Sequence, residues 1–177
     1  AQRHGTPLYV YSRAAMMDAL SGYQRALAGR EHLICYAMKA NSNLAVLKLL
    51  ADLGSGFDIV SGGELARVLA VGGDPARVVF SGVGKTQDEM ADALNHGILC
   101  FNVESEGELE RLDAIAARLG KRAPVSFRVN PDVDPKTHKY TTTGKSENKF
   151  GVDVRRAREF FKHYSGHTHV RLSGIHI

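Results

Sequence analysis

Short apolar runs alternate with longer amphipathic ones along almost the whole chain. The first amphipathic stretch, "SRAAMMDALSGYQRALAGR", reads as a helix with Ser12 as its N-cap and its end near Gly29. In "HLICYAMKA", Ile34, Tyr36 and Met38 alternate with Cys35, Ala37 and Lys39, and a period of two predicts a strand. "SNLAVLKLLADLG" then predicts a helix, with Ser42 or Asn43 as cap and Gly54 just past its end. Three further strand-helix units follow: "GFDIVS" with "GGELARVLAVGG", "RVVFSG" with "KTQDEMADALNHG", and "ILCFNV" with "SEGELERLDAIAARLG". A fifth strand, "APVSFRVN", leads into a long polar loop, "PDVDPKTHKYTTTGKSENK". The helix "VRRAREFFKHY" and a sixth strand, "VRLSGIHI", complete the pattern.

The strands are short, apolar and rich in β-branched residues, the pattern of a parallel sheet covered by helices. Right-handed βα units in series build either an open doubly wound sheet or a closed (β/α)8 barrel. Polar residues mark the carboxyl ends of the strands: Lys39, Asp58, Ser81, Asn102, Arg128 and His176. A barrel draws its active site from every strand end, whereas an open sheet binds ligand near one switch point. The expected fold is therefore α/β, about six of the eight strands of a TIM-type (β/α)8 barrel. Such a barrel needs typically about 250 residues, and this chain stops inside its sixth strand. It is expected to be a piece of a longer protein, with residues 1–11 as a lead-in and 12–177 as the incomplete barrel.

Composition narrows the function classes. Of 177 residues, 44% are hydrophobic and 24% charged, as in ordinary globular proteins. The net charge of +4 is mild and dispersed, which argues against a nucleic-acid partner. The densest basic run, "VRRAREFFKH", reads as a solvated helix face. No apolar run approaches the roughly 20 residues needed to span a bilayer, and "AQRHGTPLYVYS" lacks signal-peptide anatomy. Cys35 and Cys100 sit in apolar runs without metal or disulfide spacing, so both read as buried thiols. A cytoplasmic chain without a membrane partner is expected.

Lys39 is the main candidate for chemistry. At a strand end inside an apolar cup, desolvation disfavours the ammonium, and a neutral amine can attack an aldehyde to form an imine. That suits a lysine of pyridoxal phosphate chemistry, but a lone lysine after a strand is more often a surface or salt-bridged one. From the residues alone, Asp58 can cap the next helix and Glu64 can complement that helix's dipole in its first turn. Arg128, among strand residues, needs a partner because unpaired burial of charge is costly. His176 can be a satisfied core histidine, or a residue of the pocket or interface at the strand ends.

"YVYS", "YAMKAN", "GFDIVSGGEL", "VVFSGVGKT", "SFRVNPDV" and "THKYTTTGKSENKFGV" occur in order between about Gly5 and Ile177. Together they resemble the alanine-racemase-type barrel of fold type III pyridoxal phosphate decarboxylases, and within it most closely the diaminopimelate decarboxylase family. The resemblance implies pyridoxal 5'-phosphate as cofactor and decarboxylation of meso-2,6-diaminopimelate, a small amino-acid substrate, to L-lysine. It implies a homodimer whose partner subunit completes the substrate end. It also implies a C-terminal β domain beyond this chain, to which residues 1–11 contribute.

By the same resemblance, Lys39 forms the imine with the cofactor, Asp58 lines the pocket near it, and Glu64 lies close by. Arg128 sits beside the cofactor ring near its phenolic oxygen. Lys149, in "NKFG", lies near the active-site mouth and the dimer contact. His138 and Tyr140 match the family's long loop without a defined role. The family's cofactor-stacking histidine comes two residues after His176, so His176 is not that residue. The stacking histidine, the phosphate loop and the carboxylate for the ring nitrogen all lie beyond Ile177. The piece alone is expected to bind cofactor poorly and to be inactive. Other readings stay open: a decarboxylase of ornithine, arginine or carboxynorspermidine, a racemase, or a non-catalytic binding homologue.

Overall fold

Successive residues of a strand point to opposite faces of its sheet, and this chain gives those faces different chemistry. The structure is a computed structural model that describes residues 1–131, 133, 151–166 and 169–177. The strands are β1 (Cys35–Ala37), β2 (Gly56–Ile59), β3 (Val78–Phe80), β4 (Cys100–Val103), β5 (Ala123–Asn130), β6 (Val152–Asp153) and β7 (Val170–His176). The helices are α1 (Arg13–Ala26), α2 (Leu44–Asp52), α3 (Gly62–Ala70), α4 (Gln87–His96), α5 (Glu106–Arg118) and α6 (Val154–Tyr164). All pairings are parallel, in the order β1-β2-β3-β4-β5. β7 then runs along β5 from Ala123 to Arg128, while β6 pairs only with Val129 and Asn130. This is the serial α/β architecture expected of the first six strands of a barrel, with β6 added. Two residues are too few to show a period, so β6 left no pattern in the sequence.

One face is the core. Phe57 and Ile59, Val78 and Phe80, Phe101 and Val103, and Val125 and Phe127 are buried in one cluster with Leu47, Leu65, Met90, Leu109 and Leu112 of the helices. Burying each such side chain contributes about 1.5–3 kcal/mol. Phe80 stacks on Phe101 at 6.1 Å between centroids, and Phe127 meets Phe160 of α6 at 5.3 Å. The other face carries Ala37, Asp58, Cys100, Asn102, Ser126 and Arg128, whose neighbours follow from the parallel register.

Three successive helices start by the same chemistry. Ser61, Thr86 and Ser105 each accept the backbone N–H three residues on, and that third residue is glutamate each time. The glutamate reaches back in turn: Glu64 accepts from Val60 N at 2.6 Å, Glu89 from Thr86 N at 3.0 Å, and Glu108 from Glu104 N at 3.0 Å. Each reciprocal cap satisfies otherwise orphaned donors and contributes about 1 kcal/mol. Glu89 also accepts from Gly62 N at 2.8 Å, which ties the start of α3 to the start of α4. The N–H groups of Gly62 and Thr86, in that order, hold its carboxyl below the ordinary range.

The first strand is shorter than its pattern. Met38, almost fully buried, begins a single 3-10 turn, Met38–Ala40, and the chain then heads for α2. Tyr36 Oη donates to the Asn41 carbonyl at 3.1 Å, and Asn43, not Ser42, caps α2 through Ala45 N at 2.9 Å. Alternation continues in the sequence through Lys39, but these local bonds turn the backbone first.

Two measurements on the whole protein test this packing. A Cβ on Gly56 would lie 2.5 Å from the Arg77 carbonyl oxygen and 2.8 Å from Cys35 Sγ, whereas one on Gly84 would meet nothing within 4 Å. Gly56→Ala is expected to lower stability in urea by about 1–3 kcal/mol, and Gly84→Ala to stay within about 0.5 kcal/mol of wild type. Glu89 has a depressed folded pKa, so its contribution is complete above its ordinary value of 4.5 and is lost as pH falls below it. The stability gap between wild type and Glu89→Gln should therefore close on acidification, as read by denaturant titrations at pH 7 and in the acid range.

Candidate active site

A directed chain of hydrogen bonds crosses the polar face. Ser126 Oγ donates to Asn102 Oδ1, Asn102 Nδ2 donates to Ser81 Oγ at 2.9 Å, and Ser81 Oγ donates to Asp58 Oδ1 at 2.6 Å. The amide of Asn102 sets the direction: its N–H fills an acceptor position on Ser81, whose own proton goes to Asp58. Asp58 does not cap α3, because Ser61 holds that place. Its side chain faces the strand-end polar groups instead.

Lys39 lies in the turn that directly follows β1, two residues past Ala37, the register partner of Asp58, and it is exposed rather than enclosed in the apolar cup expected from sequence. Among the described residues its amine has no ion-pair or hydrogen-bond partner, so the salt-bridged reading is not what the structure shows. Glu64 is in the first turn of α3 with its carboxylate on Val60 N, the helix-end role open to it from sequence. Lys149, His138 and Tyr140 lie outside the described residues.

The second constellation was not legible as a site. Arg128 on β5 directs one guanidinium nitrogen, Nη1, to both carboxylate oxygens of Glu104, each at 3.1 Å. The Glu104 backbone N–H is held by Glu108, and Glu108 Oε1 accepts from Lys85 Nζ at 2.6 Å. Lys85 also donates to the carbonyls of Asn102, at 2.9 Å, and Gly82. The side chains of Lys85 and Glu108 are 0% and 4% exposed. The predicted helix began at Lys85, but Thr86 is the cap and Lys85 precedes it. The "TQDE" capping signature was the available clue that Lys85 belongs to the loop.

His176 stands beside Arg128 in register on β7 and lines a cavity of about 410 Å³ with Cys100, Asn102, Ser126 and Gly174. Its Nδ1 is buried and has no hydrogen-bond partner among the described residues. Lining a cavity with its Nδ1 unsatisfied, it is not a satisfied core histidine. Burial first, and then the Arg128 charge, push its pKa down, against smaller opposing effects of Asp58 and Glu104. Burial likewise pushes the Cys35 thiol up to about 11, with the Asp58 charge adding to it, and raises Cys100. Both cysteines are free and half-buried, and as protonated thiols they are poor nucleophiles near neutral pH. No group that could hold a metal occurs among the described residues, and no described helix is long and apolar enough to cross a membrane.

Residues 13–177 match the family described as pyridoxal-dependent decarboxylase, pyridoxal binding domain. The chain belongs to this family. Over 175 residues it is 59% identical to the diaminopimelate decarboxylase of Pseudomonas aeruginosa, covering 99% of this chain and 42% of that protein. The Aquifex aeolicus diaminopimelate decarboxylase is 50% identical, with 99% and 41% covered. The structure of Helicobacter pylori diaminopimelate decarboxylase complexed with L-lysine aligns with a TM-score of 0.96 at 47% identity, covering 99% of this chain and 44% of that one. The chain thus spans about two fifths of the length of the relatives it matches. The residues present fit the cofactor that the family's description names: an aldehyde calls for a primary amine without a partner, and Lys39 offers one among the described residues. His176 Nδ1 is an unsatisfied polar atom at the same, carboxyl end of the sheet.

The buried Lys85–Glu108 pair gives a stability prediction. Removing one partner leaves an uncompensated buried charge, which costs about 3–5 kcal/mol. Lys85→Met should destabilise the whole protein by that amount in urea titrations. Lys85→Met combined with Glu108→Gln, which keeps an acceptor for Glu104 N, should recover part of the loss.

Proposed function

We propose that the protein carrying this chain is a pyridoxal phosphate-dependent decarboxylase that converts meso-2,6-diaminopimelate to L-lysine. One observation carries the reading. Lys39, an amine without a partner among the described residues, stands at the carboxyl end of β1 in a chain 50–59% identical to proteins named diaminopimelate decarboxylase over 99% of its length. Bound pyridoxal phosphate supplies the sink for the electron pair that the departing carboxylate leaves behind.

This chain's residues supply position. Lys39 would hold the cofactor through its ε-amine, a nucleophile able to form an imine with the cofactor's aldehyde. Asp58, its carboxylate oriented by Ser81, lines the same end of the sheet, with Glu64 close by on α3. Arg128 would place its positive charge beside the cofactor ring, where it would favour electron withdrawal. His176 borders the site without stacking on the ring. Residues 12–177 form the cofactor-binding part of a (β/α)8 barrel, and residues 1–11 contribute to a second, β domain. The protein works in the cytoplasm as a homodimer, with Lys149, His138 and Tyr140 near the site mouth and the subunit contact.

The test uses the whole protein loaded with pyridoxal phosphate, reduced with borohydride and mapped by mass spectrometry. The label is expected on Lys39 and absent from Lys39→Ala. Carbon dioxide release is expected from meso-2,6-diaminopimelate, not from ornithine or arginine, and Lys39→Ala should abolish it. A label elsewhere, or none with cofactor in excess, would sink the role of Lys39. A label on Lys39 with no release from meso-2,6-diaminopimelate would sink the substrate.

A further inference from the structure

Arg128 is held from two sides. Gly151, at φ +78°, packs against its backbone so closely that a Cβ there would lie 2.8 Å from the Arg128 carbonyl oxygen. Its side chain meets the Glu104 carboxylate, one guanidinium nitrogen serving both oxygens at 3.1 Å. The exposures are unequal: the Glu104 side chain is 4% exposed and that of Arg128 23%. A surface ion pair would expose both partners and be worth little. Here the acid lies deeper and the cation reaches outward from it, toward the face that carries His176, its register neighbour.

Glu104 is itself held. Its backbone N–H donates to Glu108 Oε2, whose other oxygen is paired with the fully buried Lys85. Lys85 is in turn fixed by the carbonyls of Gly82 and Asn102. Two carboxylates and two cations thus balance across the β4–α5 junction, and the position of Glu104 is set by groups that never reach the open face. A mainly buried guanidinium needs such an anchor, and a bond from one nitrogen of its planar fork to a fixed carboxylate helps to direct its other donors.

We infer that Glu104 is the positioning residue that aims Arg128, an inference that rests on the proposed place of Arg128 beside the cofactor ring. The Lys85–Glu108 pair serves it by fixing the Glu104 backbone. Loss of the Glu104 charge leaves Arg128 in place on β5 but removes the ion pair that helps to set the angle of its guanidinium. A displacement of about 1 Å at a reacting centre can cost about 10²-fold in rate.

The test compares Glu104→Gln, Glu104→Asp and Arg128→Gln in the whole protein. Three quantities are read: the absorbance of bound pyridoxal phosphate, its retention on dialysis, and kcat and KM for meso-2,6-diaminopimelate. Glu104→Gln is expected to shift the absorbance and to lower kcat about 10²-fold, with KM little changed. Glu104→Asp should restore part of both, and in the Arg128→Gln background Glu104→Gln should add nothing. Wild-type absorbance and kcat in Glu104→Gln, or losses that simply add, overturn the inference. An impaired Arg128→Gln beside an unimpaired Glu104→Gln overturns it alone. An unimpaired Arg128→Gln overturns the proposed place of Arg128 and the inference with it. Should Glu104→Gln fail to fold by circular dichroism, Glu104→Asp decides: a lowered kcat with shifted absorbance supports the role, and wild-type values refute it.

Discussion

A fully buried ammonium organises the carboxyl end of the sheet. Lys85 Nζ binds the loop after β3 through Gly82, the end of β4 through Asn102, and the start of α5 through Glu108. Taking that charge out of water costs several kcal/mol, and only a paired carboxylate and satisfied N–H groups offset it. The expense favours one arrangement over many: with Lys85 seated, the β4–α5 junction has a single position. Asn102, at the centre of the polar row, and Glu104, the anchor of Arg128, both take their places from it. Packing on the helix face makes the sheet stable; this ion pair decides where its polar end residues stand.

The two faces of the strands divide the work. Phe57, Phe80, Phe101 and Phe127 look to the helices and carry the burial. Asp58, Asn102, Ser126 and Arg128 look the other way, and there hydrogen bonds replace packing. Because parallel partners in register share a face, one residue's slip on β2, β4 or β5 would exchange a phenylalanine for a polar neighbour such as Asp58, Asn102 or Arg128. The apolar core therefore also keeps the site in register.

Much of this was legible in the sequence, for identifiable reasons. The strand-helix alternation was visible because each run is long enough to show its period. The ordered motifs from "YVYS" to "NKFGV" pointed to the family to which residues 13–177 belong. β6 was not visible, and β1 was overestimated, because local bonds around Tyr36, Asn41 and Asn43 turn the chain before its alternation ends. Lys85 and Glu108 gave no sign of each other. They lie far apart in sequence and meet only because β3 and β4 are neighbours in the sheet. Glu104 falls between the run "ILCFNV" and the run "SEGELERLDAIAARLG", so neither pattern singled it out. Asp58 and Ser61 were competitors for one capping role, and only the fold shows that Ser61 takes it and leaves Asp58 for the polar face.

Glu89 reaches beyond its own helix to Gly62, at the head of the preceding one. The loops that follow β2 and β3 are therefore not independent. An insertion or deletion in either would pull on a carboxylate shared by both, so these loops are constrained to change length together or not at all. The freedom of a βα barrel to acquire new chemistry by remodelling one loop at a time is closed at this pair of positions.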